Sequence, residues 1–340
     1  MTKRVVILAP NWLGDAVMAL PAVADVRRHF PDAHLAVAAR TSVAPVFTMV
    51  QGVDQVVTLT GGGGLRALTG WKGDAQVLAA GEFDTALLLP NSFAAAFAVS
   101  RAGIAERWGF ATDRRAGWLT RAIPKPGAPM HQRAYYQALT TALGMAAGEP
   151  YARVVPNRER ARQLLKEIGL DPDEPFVVFA PGAAYGGAKQ WLPKRFAELA
   201  ATLIGDRGWS VLMVGTAADR PACASVAALM PPSGTRLNRL IDLSGKSDLP
   251  SLAGLLAEAR AVVSNDSGAM HLAGAVGTKV VAVFGPTRET HTFPLASGPD
   301  APRPTVITHD VFCRPCMLRE CPIDHRCMTR ISAREVFDAI

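Results

Sequence analysis

Short apolar runs alternate with amphipathic stretches along the whole chain. Val5 to Ala9 is a continuous apolar run, the pattern of a strand covered on both faces. Ala16 to Phe30 carries helical spacing, with Asp15 at the N-cap position and Pro21 marking a kink or a restart. Strand-like runs follow at Leu35 to Ala39, Val56 to Leu59 and Thr85 to Leu89. Helical stretches lie between them, including Gly63 to Ala80, with a turn at Gly61 to Gly64. Pro124 to Pro129 reads as a loop, Gln132 to Leu143 as a helix, and Gly148 to Pro156 as a linker.

The alternation then restarts. Strands are expected at Phe176 to Ala180, Ser210 to Val214, Ala261 to Ser264 and Val280 to Phe284. Helices are expected at Arg195 to Leu203, Ala217 to Leu229, Leu249 to Ala259 and Gly268 to Ala275. No sequence repeat is visible, only a repeated architecture. The fold class is therefore α/β, with two doubly wound, Rossmann-like parallel-sheet domains facing a cleft. We divide the chain into residues 1–155, residues 156–330 and a terminal helix within 331–340, opened by the capping pattern Ser332-Ala-Arg-Glu335. That helix is expected to pack back on the first domain.

Length and composition agree. The chain has 340 residues, 49% hydrophobic and 19% charged, which is the composition of a folded globular chain. No stretch is apolar for the ~20 residues that a membrane span needs. Asn11 and Asp15 interrupt the N-terminal run where a signal peptide would continue. The expected location is the cytoplasm, with five reduced cysteines. The net charge is +7, and both halves share it: 14 Lys and Arg against 10 Asp and Glu in residues 1–150, and 22 against 19 beyond. That even excess suits acidic small ligands or an anionic membrane surface and argues against nucleic acid.

Three loops carry candidate chemistry, each after a predicted strand. Asn11-Trp-Leu-Gly14-Asp15 places a carboxylate at a helix start, and Gly14 permits close backbone approach. Asp15 reads either as a helix cap or as a general base. Pro181-Gly-Ala-Ala-Tyr-Gly-Gly-Ala-Lys189-Gln-Trp191 reads as a phosphate-wrapping loop whose N–H groups and Lys189 face an anion, or as a plain connection. Ser264-Asn-Asp266-Ser267-Gly268-Ala-Met-His271 offers helix N-terminal N–H groups, the Ser267 hydroxyl and His271 to a diphosphate. The alternative there is a capped helix with a core histidine. Two anion cradles and one carboxylate suit a diphosphate donor on the second domain and an acceptor on the first.

These motifs resemble the heptosyltransferases of lipopolysaccharide core synthesis. The resemblance rests on Asn11-Trp-Leu-Gly-Asp15, Gly186-Gly-Ala-Lys-Gln-Trp191 and Ser264-Asn-Asp-Ser-Gly268-x-x-His271. The tail Cys313-Arg-Pro-Cys316, Glu320-Cys321-Pro322 and Arg326-Cys327-Met328 strengthens it, and the likeness spans essentially the whole chain. It implies an inverting GT-B glycosyltransferase that uses no metal and no cofactor. The donor would be ADP-L-glycero-D-manno-heptose, and the acceptor the first heptose of the Kdo2-lipid A inner core. The alternatives are transfer to another core position, or an ADP-sugar-binding protein without transfer. The implied protein is a monomer making peripheral contact with the cytosolic face of the inner membrane. By motif, Asp15 and Lys189 take the catalytic roles. Gly14, Asp266, Ser267, Gly268 and His271 take the nucleotide-sugar site, with Gly215, Thr216, Leu243 and Gly245 beside the adenine.

Two further features stand apart. Cys313, Cys316, Cys321 and Cys327 are spaced C-x2-C-x4-C-x5-C, which matches neither a zinc ribbon nor a ferredoxin run. Free or opportunistically paired thiols on a structured loop, or a small metal loop, all fit. Arg101, Arg107, Trp108, Arg114, Arg115, Trp118, Arg121 and Lys125 form a basic-aromatic stretch that reads as a solvated face, or as a contact for an acidic acceptor or an anionic membrane surface.

Overall fold

Each half of the chain builds one six-stranded parallel sheet. The computed structural model describes residues 3–61, 70–231 and 239–340. Two compact units meet at the Ala152–Arg153 junction, inside an irregular stretch. The first contains β1 (Arg4–Leu8), α1 (Leu13–Met18), α2 (Leu20–His29), β2 (His34–Arg40), α3 (Ala44–Phe47), β3 (Gln55–Leu59) and α4 (Gly70–Ala80). It continues through β4 (Thr85–Leu88), α5 (Phe93–Arg101), β5 (Glu106–Phe110), β6 (Arg121–Ile123) and α6 (Gln132–Ala142). The second runs α7 (Arg158–Glu167), β7 (Phe176–Ala180), α8 (Pro193–Arg207), β8 (Ser210–Met213), α9 (Arg220–Ala228), β9 (Leu240–Asp242) and α10 (Leu249–Glu258). It ends with β10 (Ala261–Asn265), α11 (Gly268–Ala275), β11 (Val280–Phe284), α12 (Glu289–Thr292), β12 (Thr305–Thr308), α13 (Arg326–Thr329) and α14 (Ala333–Asp338).

The strand orders are β3-β2-β1-β4-β5-β6 and β12-β11-β10-β7-β8-β9, with parallel pairing throughout. Counted from its own first strand, each sheet reads third, second, first, fourth, fifth, sixth in space. This is the doubly wound order, and its direction reverses between β1 and β4 and between β7 and β10. At such a reversal the adjoining loops splay to opposite faces and leave a crevice at the carboxyl ends of the strands. The three motif loops follow β1, β7 and β10, so all three lie at reversal points.

The central strands form because they are apolar on both faces. β7 and β11 are buried at every residue, as are four of the five residues of β1. Fully burying a Val, Leu or Phe side chain stabilises by ~1.5–3 kcal/mol. In the second unit Trp191 is 1% exposed, stacks edge-on against Phe196 at 4.9 Å, and donates its indole N–H to the Ile331 carbonyl at 3.1 Å. In the first unit the buried Asp25 on α2 accepts from Gln137 and Thr140 on α6 at 3.0 and 3.1 Å, and from Gly148 N–H at 2.9 Å. Its satisfied carboxylate fastens α2 to α6 and to the chain leaving the unit.

Several expectations change. Helix α1 begins at Leu13 with Trp12 as its N-cap, so Asp15 is the third residue of the helix and does not cap it. Pro21 does mark a restart, in the first turn of α2. Of the helix expected over 63–80, residues 70–80 form α4; the rest of it, and Gly62 to Gly64 of the expected turn, lie outside the described residues. The terminal helix belongs to the second unit. Its N-cap Ser332 and Glu335 form the expected capping box, but Ile331 and Val336 are buried in the core of the second unit with Phe196 and Leu199.

Candidate active site

Asp15 occupies the first turn of α1, where a carboxylate is favoured by the helix dipole. The helix starts before it because Ala16 N–H already bonds the Trp12 carbonyl at 2.8 Å. The carboxylate is half-buried, and the Tyr136 hydroxyl of α6 lies 3.5 Å from its Oδ1. Burial and the neighbouring Asp15 charge push the Tyr136 phenol well above its ordinary range, so it stays a neutral donor. Motif spacing cannot reveal Tyr136, because 121 residues separate it from Asp15. Gly14 is the second residue of the same helix. The same end of the sheet holds a cavity lined by Leu8, Asn11, Arg40, Leu59, Trp71 and Asp74, with Arg40 and Asp74 ion-paired at 2.8 Å.

The second unit brings Lys189 and Asp266 together. Lys189 ends a short 3-10 turn, and its ammonium sits 2.6 Å from Asp266 Oδ2 and 4.8 Å from the centre of the Tyr185 ring. Thr287, after β11, donates to the same Oδ2 at 2.7 Å. Asp266 therefore aims Lys189 and is no phosphate ligand in itself. An ammonium has three donors, so Lys189 keeps capacity for an anion.

The loop before Lys189 corrects the wrapping expectation. Gly187 N–H donates to Glu320 Oε1 at 3.0 Å and Ala188 N–H to the Arg319 carbonyl at 2.9 Å. Lys189 and Gln190 N–H bond back within the turn, and Trp191 N–H bonds Asn265 Oδ1 at 2.9 Å. These amides are committed to protein partners, so what this part of the loop offers an anion is the ammonium. Asn265, fully buried, also donates to the Pro181 carbonyl at 2.7 Å and so pins both ends of the loop to β10.

Ser267 is the N-cap residue of α11, and its side chain makes no capping bond. The first amides of α11 are therefore not satisfied by their own cap, the state in which a helix N-terminus takes an anion. Ser267 Oγ lies 3.0 Å from Ser264 Oγ, and Gly268 opens the helix. His271, one turn on, is 3% exposed and belongs to the buried face.

The remaining predicted residues line the next strand ends. Asp219, which no candidate motif included, accepts from Thr216 N–H and Oγ1, both at 2.8 Å, and shapes the turn after β8. The pattern Thr216-x-x-Asp219 is a capping signal that marks this turn. Gly245 N–H bonds the Gly215 carbonyl at 2.8 Å, and Leu243 N–H the Met213 carbonyl at 2.8 Å, so the loops after β8 and β9 are tied together. Gly245 has φ +68°, and a Cβ there would stand 2.9 Å from Ala217 Cα, so only glycine fits.

The basic-aromatic stretch separates into different roles. Arg107 donates to the carbonyls of Ile104, Ala105 and Trp118, and Trp108 is buried. Arg115 is wholly buried, bonded to the carbonyls of Phe110, Pro90 and Ser92, and burial pulls its pKa down to about 10. Arg101, Arg114, Arg121 and Lys125 stay exposed. The cysteines are unpaired, and among the described residues no group of three or more His, Cys, Asp or Glu side chains is arranged to hold a metal.

The comparisons with known proteins decide the family. Residues 74–326 match the model of glycosyltransferase family 9 (heptosyltransferase). The chain belongs to glycosyltransferase family 9. It is 28% identical over 301 residues to lipopolysaccharide heptosyltransferase 2 of Escherichia coli, covering 86% of each chain. It is 30% identical over 304 residues to lipooligosaccharide heptosyltransferase 2 of Haemophilus influenzae, again covering 86% of each. The solved structure of the E. coli ADP-heptose lipopolysaccharide heptosyltransferase II superposes with a TM-score of 0.82 at 26% identity, covering 99% of this chain and 97% of that one. The α/β architecture of two parallel six-stranded sheets is thus that of a family 9 glycosyltransferase.

Proposed function

We propose that this family 9 protein transfers L-glycero-D-manno-heptose from ADP-heptose to the first heptose of the Kdo2-lipid A inner core, with inversion and without a metal. The observation that carries the reading is the ion pair at the β7–β10 reversal: a single ammonium, aimed by Asp266, beside a helix N-terminus that its own cap residue leaves open. That pairing is suited to a nucleoside diphosphate.

The donor binds the second unit. Leu243, Gly245, Gly215 and Thr216 flank the adenine, while Ser267, Gly268 and His271 border the diphosphate. Gly14 lets the first unit's backbone approach the acceptor, and the cavity beside Asn11 and Arg40 takes part of its sugar. Asp15 removes the proton from the acceptor hydroxyl. That oxygen attacks the anomeric carbon opposite ADP through an oxocarbenium-like state. Charge develops on the leaving β-phosphate, where Lys189 and the α11 amides stabilise it. Fixed positive groups then take the place of a divalent ion.

The protein works in the cytoplasm as a monomer, meeting its lipid-linked acceptor at the membrane surface. No helix among the described residues is long and apolar enough to cross a membrane. The experiment is Asp15→Asn, which keeps the side-chain shape and removes the base. Turnover falls ~10²–10⁴-fold while ADP affinity holds. Near wild-type turnover overturns the assignment of Asp15.

A further inference from the structure

The segment from Arg314 to His325 has no part in the reaction as derived, yet it touches the two loops that carry Lys189 and Thr287, the partners of Asp266. On the β7 side, Tyr185 OH donates to the Met317 carbonyl at 2.7 Å and Ala188 N–H to the Arg319 carbonyl at 2.9 Å. Gly187 N–H donates to Glu320 Oε1 at 3.0 Å, and His325 Nε2 donates to the Ala188 carbonyl at 2.7 Å. Gly186 has φ +151°, and a Cβ there would run into the Arg319 carbonyl, so glycine permits the close approach. On the β11 side, Met317 N–H donates to the Pro286 carbonyl at 2.9 Å. Arg314 donates to the carbonyls of Gly285 at 2.7 Å and Thr287 at 3.3 Å, and pairs with Glu289 at 2.6 Å.

A turn made of Gly186, Gly187 and Ala188 has almost no side chain with which to hold itself. Left alone it would sample many backbone states, and an anion would have to order it on binding. The bonds from the segment supply that order in advance. We propose that residues Arg314–His325 form a positioning strap for the donor-phosphate site, with Glu320 and His325 acting through the Gly187–Lys189 turn to hold the Lys189 ammonium in place. Arg314 does the same for the Thr287 turn. The strap residues are positioning residues; Lys189 is the group that meets the anion. The proposal rests on the reading that Lys189 faces the donor's β-phosphate.

The test is calorimetric binding of ADP and of AMP, which lacks the β-phosphate, to the full chain and its variants. Unchanged thermal midpoints establish that each variant is folded. Lys189→Ala tests the underlying reading: it weakens ADP and spares AMP. His325→Ala removes one hydrogen bond to the turn and weakens ADP about 3- to 10-fold, again sparing AMP. In the Lys189→Ala background His325→Ala has no further effect, because it acts through that ammonium. Glu320→Gln and Glu320→Ala both remove the charge and differ in the acceptor, so the Ala variant binds ADP more weakly than the Gln variant. This pair keeps the test alive if His325→Ala fails to fold.

If the protein does not bind ADP, or Lys189→Ala leaves ADP affinity unchanged, the donor-phosphate reading falls and the strap with it. If Lys189→Ala weakens ADP but the strap variants do not, the strap proposal alone is overturned. It is likewise overturned if they weaken AMP equally, or if His325→Ala costs the same factor in both backgrounds.

Discussion

Asp15 shows how a side chain's meaning depends on three residues of helix register. Beginning the helix at Ala16 makes Asp15 a cap; beginning it at Leu13 turns its carboxylate into a first-turn acid beside Tyr136. The sequence favours the later start, because Asp is a preferred N-cap and Trp12 is an uncommon one with no capping bond to announce it. Tyr136 stays protonated and donates, so Tyr136→Phe removes a donor without removing the proposed base. We expect turnover to fall about tenfold or less, far short of Asp15→Asn. The acid limb of the pH–rate profile moves to higher pH, because the carboxylate loses a group that favours its charged form. Steady-state rates across pH for both variants check this. Cys223 gives a second prediction at this scale. It is fully buried, and burial pushes its thiol up to about 12. At pH 8 only on the order of one thiol in ten thousand is ionised, so a thiolate-directed reagent passes it by. Mass mapping after brief alkylation should find the exposed Cys316 modified and Cys223 modified only after unfolding.

At the level of elements, burial decides what can be read. β1, β7, β10 and β11 are covered on both faces and announce themselves as apolar runs. β9 and β12 carry only half-buried residues, and β6 is mostly exposed, so none presents an apolar run. β5 opens with Glu106 and Arg107 and is hidden inside the basic-aromatic stretch. Helix α7 buries only Ala161 and Leu165 among its charges, and α5 is masked by the apolar stretch that continues from β4. The site loops are legible in position and only partly in chemistry. Small residues mark the loop before Lys189, but where Gly187 and Ala188 N–H point depends on the strap more than 130 residues away. Asn265 carries the most testable local claim. Its amide joins the Pro181 carbonyl to the Trp191 amide, so Asn265→Ala leaves both buried and unmatched. The expected loss is about 1–3 kcal/mol of stability, with weaker ADP binding because the loop that bears Lys189 comes free. Denaturant unfolding and calorimetry on the same variant measure both.

On the scale of the whole molecule, two halves without sequence similarity repeat one strand order. The repetition is readable only as architecture, since each sheet needs apolar central strands and not particular ones. Its consequence is chemical: the carboxylate follows the first strand of one sheet, and the ammonium and open helix end lie at the reversal of the other. The proposed division of labour between acceptor and donor rests on that placement. The measurement that tests it most directly is ADP release in EDTA from ADP-heptose with a heptosyl-Kdo2-lipid A acceptor, run beside Asp15→Asn. We expect release that requires the acceptor, survives EDTA and falls ~10²–10⁴-fold in the variant. Release that stops in EDTA, needs no acceptor or persists in Asp15→Asn would contradict the account.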